Sequence, residues 1–214
     1  MSARKTAITV ASASAIAMAT VGVKHWEGFA PTVVPDKLAN GLPTGGYGET
    51  EDVKLGETHS EKFWSDRLAK RLVEEYDVGI GKCIKVDLPD GVRASAISLA
   101  YNAGVGAVCS SSIVKKWNAG DIEGGCRQIL TKDADGRYTG WRVGSHPKGP
   151  KGPFVIQRGL VNRRADEQKK CLAAAREPKP APVVRPAPAP AVVAATQSAP
   201  KCFLPWIFKC KGAT

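Results

Sequence analysis

Hydrophobic and polar positions divide the chain into four stretches of different texture. The first is an uncharged run, TAITVASASAIAMATVGV from Thr6 to Val23, preceded by Arg4 and Lys5 and closed by Lys24 and His25. As a helix rising about 1.5 Å per residue it would reach roughly 27 Å, enough to span a bilayer core. Twelve of its 18 residues are Ala, Ser, Thr or Gly and none is Leu or Phe, so little apolar transfer energy would hold it in lipid. Three readings follow: a signal peptide cleaved after Ala17-Met18-Ala19, an uncleaved anchor that leaves the membrane later, or a buried Ala-rich helix of a soluble domain. The basic flank and terminal position argue for the first two, and the small-residue composition argues for a releasable signal-anchor over residues 1–24.

The second stretch, residues 25–176, has the texture of one globular domain. Pro and Gly crowd the segment from Pro31 to Gly48, which suits short strands joined by turns. Beyond it, Thr58 or Ser60 is placed to cap a helix whose apolar face is Phe63, Leu68, Leu72 and Val73. Further helical patterns cover Val92 to Ala103, Ser111 to Asn118, Ile122 to Leu130 and Val161 to Ala175. The fold class expected is α+β, mostly helical, with a small β-hairpin sheet near the N-terminus and an apolar N-terminal helix. Residues 177–200 are a Pro/Ala-rich linker that cannot build a core. Residues 201–214, KCFLPWIFKCKGAT, form a basic, aromatic tail in which Cys202 and Cys210 could close a loop that touches a membrane or wall surface.

Composition narrows the partners. With 214 residues, 43% of them hydrophobic, the chain can bury one good core. The net charge of +11 favours anionic partners, but the basic residues are scattered and carry no nucleic-acid-binding motif, so no nucleic acid partner is expected. Cys83, Cys109, Cys126, Cys171, Cys202 and Cys210 are too widely spaced for the CxxC pairs of a structural zinc site and fit a disulfide set better. Disulfides persist in oxidising compartments, which agrees with an export segment. His25, His59 and His146 show no metal-binding spacing, and neither a metal nor a cofactor is implied. Ser110 to Ser112 lack a nucleophile-elbow setting. Gly45-Gly46-Tyr47-Gly48 lacks the Lys of a phosphate loop, so a tight hairpin is the better reading.

The chemistry-bearing candidates lie directly after the apolar run. Glu27 stands in WEGFA between Trp26 and Phe29, an apolar surround that would favour its protonated form. Asp36 follows nine positions later, past a turn-rich bend able to fold it back. An acid that protonates a leaving oxygen and a second carboxylate that directs water are what glycoside hydrolysis requires. By itself a Glu/Asp pair at this spacing is common.

The longer segment WEGFAPTVVPDKLANGLPTGGYGET resembles the active-site segment of phage-type lysozymes, glycoside hydrolase family 24, whose pattern is Glu, eight residues, Asp, five residues, Thr, then a Gly-x-Gly turn. Glu27 and Asp36 match with eight residues between them. Thr44 follows Asp36 by eight positions, so the hairpin holds two additional residues around Asn40-Gly41, and Glu49 stands where the family often has His. The resemblance continues through Lys54-Leu55-Gly56-Glu57-Thr58, Leu99 to Gly106, Lys116 to Asp121 and Gly159 to Arg164, with Arg163 and Arg164 as structural or cleft-edge cations.

The resemblance implies a lysozyme-like domain that hydrolyses the β-1,4 bond between N-acetylmuramic acid and N-acetylglucosamine in peptidoglycan, with inversion. In it Glu27 is the general acid, Asp36 the residue that directs water and Thr44 its helper. It also implies the disulfides Cys83–Cys109 and Cys126–Cys171. The anchor placed directly before Glu27 resembles the signal-anchor-release endolysins. These are exported by the host machinery, held inactive in the inner membrane, and freed into the periplasm when a holin or pinholin collapses the membrane potential, causing host lysis. No anchor cysteine is present for a thiol-exchange control, so refolding around Glu27 is the expected activation. A monomer is expected. The rival readings are a lytic transglycosylase on the same substrate and a non-catalytic wall- or membrane-active protein.

Overall fold

A computed structural model describes residues 10–37, 40–145 and 153–177. The chain divides into a unit ending at Lys179 and a second beginning at Pro180. The start of the apolar run, most of the linker and the tail with Cys202 and Cys210 lie outside the described residues, as does His146.

The first unit is mostly helical, with two small antiparallel sheets. Helix α1 (Ala13–Glu27) leads into strands β1 (Ala30–Asp36) and β2 (Leu42–Gly46), which form a hairpin. Helix α2 (Glu61–Arg71) continues through a π-helical turn, Leu72–Asp77, into α3 (Val78–Gly81). Then come α4 (Asp90–Ala103), α5 (Val105–Ser110), α6 (Ser112–Asn118) and α7 (Ile122–Arg127). The short β3 (Gly144–Ser145) and β4 (Val155–Ile156) pair before α8 (Arg158–Arg176) closes the unit.

Helix α4 is the centre of the core. Every residue from Val92 to Ala100 is buried, the signature of a helix surrounded on all sides. Its small residues let neighbours approach closely: a Cβ on Gly91 would meet Ala174 Cβ of α8 at 2.6 Å. Against another side of α4 lies α1, through Ala15, Ala19 and Val23, spaced four apart on one face and almost fully buried. In this folded state the Ala-rich run from Ala13 to Val23 thus buries one face in the core, while Met18 and Val21 on its other side stay exposed. Ser12 caps it by accepting from the Ala15 N–H at 3.0 Å. Among the described residues no helix is long and apolar enough to cross a membrane.

The hairpin is seated by two glycines. Cβ atoms on Gly45 and Gly46 would come within 3.1 and 2.6 Å of the Trp64 ring, and Gly46 also has φ +59°. Backbone bonds from Val33 to Glu57 and from Gly56 and His59 back to β1 add a strand-like segment beside it. Between the pairs Ala30–Gly46 and Val34–Thr44, three residues of β1 oppose one of β2, a bulge that bends the strand.

Several boundaries differ from the periodicity. The cap of α2 is Ser60, which accepts from Phe63 N at 3.2 Å. Its buried face is Trp64, Leu68 and Leu72 rather than one containing Phe63 and Val73, which are 40% and 36% exposed. The i, i+4, i+8 stripe led by the larger indole wins. The helix expected from Ile122 to Leu130 ends at Arg127, because Gln128 and Ile129 turn back onto Gly125 and Cys126. Disulfides join Cys83 to Cys109 and Cys126 to Cys171, each with Cα atoms 5.6 Å apart, the pairing that the resemblance implies.

Candidate active site

Glu27 is the last residue of α1, with Gly28 as the C-cap at φ +72°. That glycine lets the chain leave the helix and enter β1 within two residues. The Glu27 side chain is 24% exposed and its Oε1 accepts from Arg163 Nη1 of α8 at 2.7 Å. The aromatic surround expected from WEGFA is not what meets this carboxyl. Trp26 turns its indole N–H to Asp166 at 3.1 Å, and Phe29 lies 43% exposed against the Tyr47 ring, 5.2 Å between centroids. The reason is helical geometry: on α1, Trp26 and Glu27 are one position apart and both reach α8, where Arg163 and Asp166 are three apart on one face.

Asp36 ends β1 and pairs with Leu42, and Thr44 pairs with Val34. Directly opposed residues share a face of a sheet, as do residues two apart on one strand. Asp36 and Thr44 therefore lie on one face of the hairpin, together with Val34 and Leu42, which are 48% and 45% exposed. The Thr44 hydroxyl donates to the Leu42 carbonyl at 3.0 Å. The two additional residues are absorbed in the turn, where Asn40 and Gly41 have φ +54° and +82° and Gly41 N–H bonds to Asp36 O at 2.8 Å. They leave Thr44 on the Asp36 face. Glu27, by contrast, belongs to α1 and is tied to α8.

At the tight turn that follows β2, where Glu49 N–H bonds to Gly45 O at 2.8 Å, lies a group that sequence alone placed only as a departure from the family pattern. Glu49 is 5% exposed and accepts from Thr50 N, Glu51 N, Arg67 Nε and Arg71 Nη1 at 2.9 to 3.0 Å. Burial works to raise its carboxyl, but the Glu51 N–H, Arg67 and Arg71 outweigh it and hold the group below the ordinary glutamate range. The same turn is held from α4 by Tyr101, whose hydroxyl donates to Tyr47 O at 2.6 Å. Burial, followed by the charge of Glu27, pushes the Tyr101 phenol up, so the phenol keeps its proton as a donor.

Because the folded-state value of Glu49 is depressed, its stabilisation is present above the unfolded value, about pH 4.5, and is lost as pH falls through the lower folded value. Glu49→Gln is thus expected to lower the urea midpoint at pH 7. The gap between variant and parent should narrow as the pH falls through the lowered folded value. Urea titrations at several pH values measure this, and a gap independent of pH would refute the charge assignment.

The residues behind Glu27 are also charged. Arg163 Nε donates to Glu167 Oε1 at 3.2 Å and Arg164 Nη2 to Asn102 Oδ1 at 2.7 Å. Burial pulls Arg164 down to about 10. The adjacent Arg163 and Arg164 were visible in the sequence, whereas the approach of Glu27 to Arg163, 136 positions away, was not.

The structure thus sets a helix-terminal glutamate, held by an arginine, directly ahead of a hairpin that carries Asp36 and Thr44 on one face. The profile of the phage lysozyme family matches residues 24–167. A SAR-endolysin of Enterobacteria phage P21 is 32% identical over 178 residues, 80% of this chain and 96% of its own. A SAR-endolysin of Bacteriophage PS119 is 34% identical over 64% of this chain and 72% of its own. Among solved structures, an endolysin from Escherichia coli O157:H7 phage FAHEc1 superposes with a TM-score of 0.57 at 23% identity, over 78% of this chain and 96% of that one. P22 lysozyme superposes with a TM-score of 0.56 at 22% identity, over 77% and 99%. The chain belongs to the phage lysozyme family. It is a muramidase, an endolysin that hydrolyses peptidoglycan.

Proposed function

We propose that this endolysin cleaves the β-1,4 bond between N-acetylmuramic acid and N-acetylglucosamine, with Glu27 as general acid, Asp36 directing water and Thr44 helping to place it. The observation that carries the reading is the seating of Glu27: an otherwise buried arginine holds its carboxyl at the end of α1, where the chain turns into the hairpin that bears Asp36 and Thr44. Glu27 would protonate the leaving oxygen while Asp36 activates water and stabilises the developing oxocarbenium. Water attack on the face opposite the leaving group gives inversion.

The products test the bond and the reaction class. Mass spectrometry of digested peptidoglycan is expected to show hydrated, reducing N-acetylmuramic acid ends. Anhydro-muramic ends would identify a transglycosylase, and reducing N-acetylglucosamine ends would identify cleavage of the other glycosidic bond.

The reading extends to location. The apolar run and the relatives' description as SAR-endolysins support export through the host machinery, insertion in the inner membrane in an inactive form, and release into the periplasm once a holin or pinholin acts. In lipid, the residues preceding Glu27 cannot also lie on α4. Release and refolding would place Ala15, Ala19 and Val23 in the core and bring Glu27 to Arg163 in one event.

A further inference from the structure

Behind Glu27 lies a buried cluster of charge larger than one ion pair needs. Arg163 and Glu167 have side chains 5% and 4% exposed, and Arg164 is fully buried. Arg163 is divided between two carboxylates, donating from Nη1 to Glu27 at 2.7 Å and from Nε to Glu167 at 3.2 Å. Arg164 Nε lies 3.0 Å from Glu167 Oε2 without hydrogen-bond alignment, and Arg163 Nη2 and Arg164 Nη1 have no hydrogen-bond partner among the described residues. Ser98 of α4 donates to Glu167 Oε1 at 2.7 Å.

Burial pushes the Glu167 carboxyl up while Arg164, Ser98 and Arg163 pull it down; with Glu167 ionised by these partners, the two guanidinium groups are balanced only when Glu27 is counted in. Burying charge is tolerated when partners balance it, so a change at Glu167 must be felt at Glu27. We propose that Glu167 is a positioning residue for the hydrolysis: it holds Arg163 in place and shares that cation with Glu27, limiting how strongly Arg163 retains Glu27 as a carboxylate. This rests on Glu27 being the proton donor.

The other charged groups facing the pair are accounted for. On α8, Asp166 is taken by Lys170 and Trp26. From α4, Tyr101 and Asn102 bond to Tyr47 O and Arg164. From α2, Glu61 is held by Lys24. At the far end of α1, the Asp77 carboxyl is bonded to Arg93 and to the Ala11 N–H. On α1 itself, His25 lies edge-on to Trp26. Arg163 and Glu167 are left as the adjustable pair behind Glu27.

Glu167→Gln preserves shape and an acceptor but removes the charge. In the full-length chain it is expected to lower kcat at neutral pH by about tenfold with KM within about twofold. The alkaline limb of the pH–rate profile should move down by at least about half a unit, so that activity recovers on mild acidification. Ser98→Ala, which removes only the hydroxyl donor to Glu167, leaves that carboxylate drawing harder on Arg163 and should shift the limb in the opposite direction by less.

An unmoved limb in both variants, or loss in proportion to unfolded protein at every pH, would overturn the proposal; if Glu167→Gln does not fold, Ser98→Ala decides. Glu27→Gln is the control. If it stays active, the reading of Glu27 as proton donor falls and this inference with it. If it is inactive while the limb is unmoved, only this inference falls.

Discussion

Glu27→Gln is expected to reduce the rate of peptidoglycan hydrolysis by about a hundredfold to ten-thousandfold, the range that a positioned proton donor supplies. Glutamine keeps an oxygen in reach of Arg163 Nη1, which now meets Glu27 at 2.7 Å, so the helix end should stay docked. The variant should bind insoluble peptidoglycan as the parent does. Turbidity assays on purified walls, beside a sedimentation binding assay, separate chemistry from binding. Unchanged hydrolysis would remove Glu27 from the mechanism.

The second large effect concerns the first turns of α1. A chain beginning at Thr20, the product of cleavage after Ala19, is expected to be less stable by at least about 3 kcal/mol and to lose most of its activity. The truncation removes Ala15 and Ala19 from the surface of α4 and leaves a trough beside a fully buried helix. It also removes the Ser12 cap and the Ala11 N–H that donates to the buried Asp77 carboxyl at 2.8 Å. The shortened helix would hold Glu27 with fewer than three turns. Urea denaturation and wall hydrolysis of the two chains side by side give the result. Equal stability would mean that the apolar run is dispensable once the protein has folded, and would favour a cleaved signal peptide.

Much of the architecture was legible because it depends on local chemistry. The Pro/Gly-crowded stretch announced a hairpin, and β1 and β2 lie within it. Serines in front of apolar periodicity marked helix starts, and Ser60 and Ser111 are caps. Where apolar candidates competed for one face, periodicity was insufficient. Phe63 and Trp64 both fit a helix pattern, and the choice went to Trp64 because Gly45 and Gly46 leave a hollow that its ring fills.

The same division runs through Glu27 and the run before it. Sequence alone determined that a glutamate stands at the end of an apolar, Ala-rich segment, nine positions ahead of an aspartate, and that two adjacent arginines stand in the last helical pattern. Composition and helical spacing are properties of neighbours along the chain. Only the tertiary structure decided that Ala15, Ala19 and Val23 lie on α4, that Glu27 meets Arg163 rather than its own flanking aromatics, and that Glu49 is buried between Arg67 and Arg71. Those outcomes depend on which distant surfaces share a core. An Ala-rich helix has the same pattern whether lipid or another helix covers it, because both accept an apolar, small-residue face.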